Sequence, residues 1–443
     1  MKSSFLRDLF ALVSSRIVVT LLTVGTSIIT ARYLGPDING IIAALTVYPL
    51  LFMTIGSLGI QQSTTYFVGQ NKYNIREIYG SVLVIWIFTS IFCMLSCYTL
   101  ISYFSANKYN TIYIYMAILP IPFSLYNTYS SGIFLGLQNI KEYNKVNWIS
   151  AAINFAATFV LLAIFHFGLP GPLMGIFAGV FILSFFVAHQ VKKIVPIRPI
   201  LNLKIIKAML SLGLIYALEV LIFALNYRVD IILLEKLSTP YEIGIYSKGV
   251  NIVEVLWQIP LFVSALIFSR SAGSKDPKGF SEKVCRLLRF AGVVIVFSSI
   301  ALYLLSGIVI TVMYGDKFIG SIIVLKTLIP GVLLLTILRI LNMDLAGKGK
   351  PWLSMRAMIP AVIINIIFNY FLVPKYGALG AAWSTTISYS CAAIIFLFVY
   401  SREVGIPVLN ILKYTLKDKE IAVEYFNIIR SKAYSFLKIK PGN

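Results

Sequence analysis

A chain of 443 residues that is 58% hydrophobic, 12% charged and +21 in formal net charge has too little polar surface for a soluble domain. Its mean hydropathy of +0.86 marks a polytopic membrane protein. The excess of positive charge raises the question of nucleic acid, which the placement of that charge answers.

Runs of about 18 or more apolar residues can cross a bilayer as helices. Twelve are predicted in chain order. The first six lie at about 9–31, 40–66, 79–104, 112–136, 147–166 and 171–190. The next six lie at about 208–235, 243–268, 288–313, 322–345, 353–373 and 378–401. The first run is long and has no small-residue cleavage site, so no cleavable signal peptide is read there. With the N-terminus in the cytoplasm, one set of connections is rich in Lys and Arg. It includes Lys192, Lys193, Arg198, Lys204 and Lys207, then Arg270, Lys275, Lys278 and Lys283. The other side has Arg32, Lys108, Lys236, Lys317 and Lys375. This asymmetry predicts a multi-pass protein of the cytoplasmic (inner) membrane with both termini cytoplasmic. The basicity is topogenic, and no basic stretch outside the spans is interleaved with aromatics, so nucleic acid is not an expected partner.

The spans repeat. "ARYLGPDINGI" (31–41) and "LLEKLSTPYEIGI" (233–245) both place a proline four residues before Gly-Ile, Pro36/Gly40/Ile41 and Pro240/Gly244/Ile245, at an offset of 204. Pro120 and Pro122 in the fourth span answer Pro330 in the tenth, and Gly136 answers Gly347. Gly168 and Gly171 answer Gly377 and Gly380 at an offset of 209. Correspondences in one order, at offsets of about 204–211, predict an internal duplication. An even number of spans separates the copies, so the repeat is parallel, with a cavity between its halves. The expected fold is all-α: about twelve transmembrane helices in two six-helix lobes around a central cavity. Its expected divisions are a lobe at 1–190, a basic cytoplasmic linker at 191–207, a second lobe at 208–402 and a basic tail at 403–443, read as a membrane-surface helix.

Several stretches resemble a known family. "NYRVDIILLEKLSTPYEIGIYSKGVNIVEVLWQIP" (226–260), "GIQQSTTYFVGQNK" (59–72), "GLQNIKEYN" and the 347–389 segment are similar to oligosaccharide flippases, such as O-antigen flippases, of the multidrug/oligosaccharidyl-lipid/polysaccharide exporter superfamily. The likeness runs over about residues 5–402. It implies transfer of a polyprenyl-linked oligosaccharide from the cytoplasmic to the outer leaflet for cell-surface polysaccharide. It also implies, as partners besides membrane lipids, a polysaccharide polymerase and glycosyltransferases of the same pathway. Lipid II flippases of that superfamily have fourteen helices; twelve are read here, which favours surface glycan over peptidoglycan precursors.

Such a cargo carries phosphate and hydroxyls that hydrocarbon will not accept unpaired. Charged residues within the spans are therefore the candidates for its handling. Arg16 on the first helix and Arg339 on the tenth fall in the cytoplasmic third, one per lobe, and suit a phosphate clamp. Arg228 and Lys248 fall in the outer third, where they could bind substrate or snorkel to the interface. Glu219, Glu254 and Asp230 are ion-coupling candidates, the first two near mid-depth. At 100° per residue, Glu219 and Asp230 share a stripe that Arg228 faces away from, and Asp230 also reads as a helix-end structural residue. Gln61 and Gln62 could bind sugar hydroxyls or hydrogen-bond a neighbouring helix.

No catalytic set, metal set or cofactor is expected. "AGKGKPW" lacks the spacing and the Ser/Thr of a phosphate-binding loop, and Cys93, Cys97, Cys285 and Cys391 do not have metal-ligand spacing. Two other functions stay open: a cation-coupled exporter of the multidrug and toxin extrusion family, and a membrane glycan polymerase. The first usually favours cationic cargo, which the arginines disfavour. The second needs a large catalytic outer loop, and every predicted outer loop is short.

Overall fold

The computed structural model describes residues 2–71, 73–258, 260, 267, 270–271, 274 and 276–414, with side chains for all of these except 2–13 and 215. All of its regular structure is helical among the described residues. The first half holds α1 (Lys2–Gly56), α2 (Ile60–Gly69), α3 (Ile75–Phe104), α4 (Thr111–Ile118), α5 (Pro120–Gly136), α6 (Ile140–Phe159) and α7 (Pro170–Lys192). The second holds α8 (Leu203–Leu237), α9 (Pro240–Val253), α10 (Pro277–Tyr314), α11 (Gly320–Gly347), α12 (Met355–Val404) and the short α13 (Val408–Leu412). A π-helical turn (Val160–Ile164) extends α6, and a 3₁₀ turn (Glu254–Trp257) extends α9.

Helices and spans do not map one to one, for reasons visible in the backbone. α1 and α12 contain 55 and 50 residues. At about 1.5 Å per residue each is more than twice the ~30 Å of bilayer hydrocarbon. Both contain a glycine with non-helical dihedrals, Gly35 and Gly377, at which the chain turns back, so each supplies two spans. Conversely, Pro120, which has no amide hydrogen to donate to the preceding turn, divides the fourth span into α4 and α5. Counted this way, the described residues belong to about twelve crossings, six in each half. The eighth and the tail run into residues outside the described set, so the membrane-surface helix expected over 403–443 is described only as far as Tyr414.

Polar residues set the helix starts. Asn74, Asn110, Asn139, Asn202, Thr239 and Asp276 each accept a backbone N–H of the first turn of α3, α4, α6, α8, α9 and α10. The duplicated punctuation lands at equivalent places: Gly136 and Gly347 are the last residues of α5 and α11. Gly168 and Gly377 both take positive φ, 63° and 50°, at the turn before the last span of each half.

Each half has its own packing, α1 with α3 and α6, α6 with α7, and α11 with α12, while α8 and α9 cross over to α1. The repeated motifs meet there. A β-carbon at Gly40 would overlap the carbonyl oxygen of Pro240, and one at Gly244 would overlap that of Pro36. The duplicated sequence therefore forms a reciprocal backbone contact at the end of the bundle remote from the termini, here called the distal end. A second close approach, Gly59 against Gly213, joins the halves towards the other end.

Candidate functional site

A cavity of about 230 Å³ lies between the halves. Its first-half wall is uncharged and mixed, polar side chains alternating with Ile42, Val47, Leu50 and Ile176. Thr23, Thr26, Ser27 and Thr30 recur at helical spacing on α1, with Asn39 and Thr46 after the Gly35 turn and Asn154 on α6. Its second-half wall brings Arg228 of α8 together with Lys248 and Asn251 of α9. The two basic side chains lining this cavity thus both come from one half.

The two are held differently. Lys248 is buried, 4% exposed, and its ammonium donates to Ser27 O at 3.1 Å, Ser27 Oγ at 3.2 Å and Thr30 Oγ1 at 3.1 Å. Asn251 Nδ2 donates to the same Ser27 Oγ at 3.2 Å, so the α1 hydroxyl row is the docking strip for α9. Arg228 lies 3.9 Å from Glu254, both side chains about a third exposed (32% and 27%). At that separation the pair screens the guanidinium without tying up its donors.

Arg339 and Glu219 line a separate, mostly apolar recess of about 350 Å³ with Phe223, Tyr227 and Asn342. The Arg339 guanidinium sits 3.8 Å from the Trp257 ring centre and 5.0 Å from that of Tyr227, and its Nε donates to the Tyr227 hydroxyl at 3.2 Å. Aromatic faces hold a cation in place by its charge and occupy few of its N–H donors. Glu219 accepts Asn342 Nδ2 and Ser354 Oγ, each at 3.1 Å. From the other half, Arg16 Nε donates to Gln258 Oε1 at 3.4 Å. Arg16 and Arg339 therefore reach consecutive residues, Gln258 and Trp257, from opposite lobes.

Asp230 is fully buried, two turns inside α8 rather than at the helix end expected from sequence. Its Oδ1 accepts Asn365 Nδ2 at 3.0 Å and Asn369 Nδ2 at 2.8 Å, and Tyr246 and Thr385 pair at 2.9 Å beside them. Asp230 Oδ2, Asn369 Oδ1 and Asn226 Oδ1 have no hydrogen-bond partner among the described residues. This is an oxygen-rich buried cluster within the second half. Gln61 donates to Ser131 Oγ at 2.7 Å inside the first half, Gln62 is exposed, and neither lines the central cavity. Sequence reasoning missed the α1 row and the Trp257–Tyr227 seat. The spacing of Thr23, Thr26, Ser27 and Thr30 is a polar helical stripe that could have revealed the first. The second depends on a contact between distant helices.

Two lobes joined about a polar, cationic cavity define a multi-pass membrane protein built on a transporter plan. The chain belongs to the polysaccharide biosynthesis protein family, whose sequence profile matches residues 5–270. This bears out the resemblance to polysaccharide flippases. It is 25% identical over 375 residues to the capsular polysaccharide biosynthesis protein CapF of Staphylococcus aureus, covering 81% of this chain and 89% of that one. Among solved structures it matches the lipid II flippase MurJ in an inward closed conformation, with TM-score 0.72, 16% identity and coverage of 98% and 93%. It also matches an inward-facing multidrug resistance MATE transporter, with TM-score 0.70, 15% identity and coverage of 87% and 94%.

Proposed function

We propose that this protein is a flippase that moves a polyprenyl-(pyro)phosphate-linked oligosaccharide from the cytoplasmic to the outer leaflet by alternating access, for a capsule-like or other surface polysaccharide. The observation that carries the reading is the central cavity, in which two basic side chains face a row of hydroxyls and amides set among apolar residues. That surface complements an anionic, hydroxyl-rich head group and disfavours the cationic cargo of a multidrug exporter. The family and the CapF likeness support the same class of cargo.

In this reading the positive-inside asymmetry sets both termini in the cytoplasm of the cell membrane and the distal end outside. Residues 1–190 and 208–402 are the rocking lobes, 191–207 the linker between them and 403–443 a basic tail. Arg16 and Arg339 capture the phosphate on the cytoplasmic side, converging on the Trp257–Gln258 stretch. Arg228 and Lys248 receive it deeper in the cavity, with Glu254 screening Arg228. Of the carboxylates, Asp230 has the surroundings best suited to ion coupling, because its own free oxygen can take a proton, and that oxygen with the free amide oxygens of Asn226 and Asn369 can ligate a small cation. Glu219 is already satisfied by neutral donors and positions α11 and Ser354. Gln61 and Gln62 serve packing and surface rather than sugar. The polymerase and glycosyltransferases of the same pathway act before and after transfer.

The test is a disruption strain in which lipid-linked oligosaccharide is quantified by leaflet. The reading expects accumulation on the cytoplasmic leaflet and loss of surface polysaccharide, both restored by the wild-type gene. Normal surface polysaccharide in the disrupted strain would remove it.

A further inference from the structure

The distal end holds a set of contacts that join the two halves directly. Glu235, near the end of α8, is 1% exposed, yet its partners all come from the other half. Tyr48 donates to one carboxylate oxygen, while Ser105 and Tyr109 donate to the other, the last at 3.1 Å. Lys248 makes the converse contact on the other seam, with its three acceptors on α1. Between the two lies the reciprocal Pro36–Gly244 and Gly40–Pro240 backbone contact. Arg32 adds a peripheral brace by donating to the carbonyls of Val312 and Met313 at the end of α10.

All three charged residues bind neutral groups of the opposite half, and no salt bridge joins the halves among the described residues. This matters for a joint that must open. Separating a buried ion pair strands two charges, whereas parting a charge from neutral partners at a widening cleft returns each group to water. The Lys248 ammonium, however, also lines the central cavity. An anion arriving there competes with Ser27 and Thr30 for the same three N–H donors.

We propose that Lys248 and Glu235 are bolts that hold the distal end shut, and that an anionic head group opens it by drawing Lys248 away from Ser27 and Thr30. The opening part rests on the functional reading above; the bolting part does not. A ligand shifts a conformational equilibrium only through differential affinity, and here the differential arises because closure occupies the ammonium. A residue that simply bound substrate would leave the empty protein's conformations unchanged. Glu235 has no place in the cavity lining, so its removal should loosen closure without removing the response to an anion.

The experiment is spin-label distance measurement on the full chain in lipid nanodiscs. Labels go at Lys108→Cys and Lys317→Cys, exposed distal positions on the two halves, with and without polyprenyl phosphate as the probe. Lys248→Met and Glu235→Gln should each raise the open-to-closed ratio of the empty protein, on the order of tenfold, because each removes hydrogen bonds to a charged group from the closed state alone. Polyprenyl phosphate should widen the distribution further in wild type and in Glu235→Gln but not in Lys248→Met. Wild-type distributions in empty Lys248→Met and Glu235→Gln would overturn the bolts. Shifted empty variants with a wild type that ignores the probe would keep the bolts and overturn the anion-driven opening. An equal response to the probe in Lys248→Met would also overturn the opening step.

Discussion

Adding one methyl group at the centre of the distal joint separates closure from every other property of the protein. In the closed structure a β-carbon on Gly40 would lie 2.7 Å from the carbonyl carbon of Pro240, closer still to its oxygen, and 3.0 Å from the Gly244 nitrogen. Ordinary contact begins at 3.4 Å, so the carbonyl carbon alone requires the two backbones to part by 0.7 Å, and the nearer oxygen requires more. Both neighbours are backbone, so no side chain can rotate away. Overpacking of this kind costs about 1–3 kcal/mol. Once the halves have separated, the same methyl meets nothing from the opposite lobe, so the cost falls on the closed state alone. At about 1.4 kcal/mol per tenfold, Gly40→Ala should shift the open-to-closed ratio by roughly 5- to 150-fold. Gly244→Ala should act in the same direction through Pro36. The double variant should fall short of the sum, because one separation relieves both overlaps. Spin labels at 108 and 317 read the populations directly, and membrane abundance of each variant controls for folding. Unchanged distance distributions in both single variants, at normal abundance, would refute the assignment of this contact as the joint between lobes.

Three other outcomes follow from the same structure. Cysteines placed at 198 and 278 should resist a membrane-impermeant thiol reagent in intact cells while one at 317 labels; labelling at 198 or 278 would reverse the proposed orientation. Asp230→Asn keeps the size of the side chain and its contact with Asn365 and Asn369 but removes its charge, so transport should lose its response to an imposed ion gradient; an unchanged response would place coupling elsewhere. Arg16→Ala and Arg339→Ala should each reduce export at least tenfold at normal abundance, with Lys partly rescuing as a point charge; near-wild-type export by both alanine variants would remove the phosphate clamp.

Much of the architecture is legible in the chain because hydrocarbon enforces it. A span must be long, apolar and internally hydrogen-bonded, so run length and glycine–proline punctuation reveal the crossings and the duplication. Gly168 and Gly377 show this well: equal places in two copies, both at positive φ. The contacts between copies are another matter. Pro36/Gly40 and Pro240/Gly244 read as the same phrase twice, but nothing in either phrase says that the two touch. Glu235 reads as one more acid near an outer loop until α8 carries it against Tyr48, Ser105 and Tyr109. Helical periodicity separates Arg228 from Asp230, and the structure has one on the cavity wall and the other buried in its lobe. Periodicity names faces; only packing says what each face meets.

Transfer of a glycolipid between leaflets can be measured in a reconstituted system. Purified protein is placed in vesicles with a fluorescent polyprenyl-pyrophosphate oligosaccharide confined to one leaflet, and a membrane-impermeant glycosidase then digests whatever reaches the other. Rapid, protein-dependent exposure of the glycan is expected, suppressed by Arg339→Ala, with no comparable movement of a cationic dye. Transport of the dye with no exposure of the glycan above that in protein-free vesicles would contradict it.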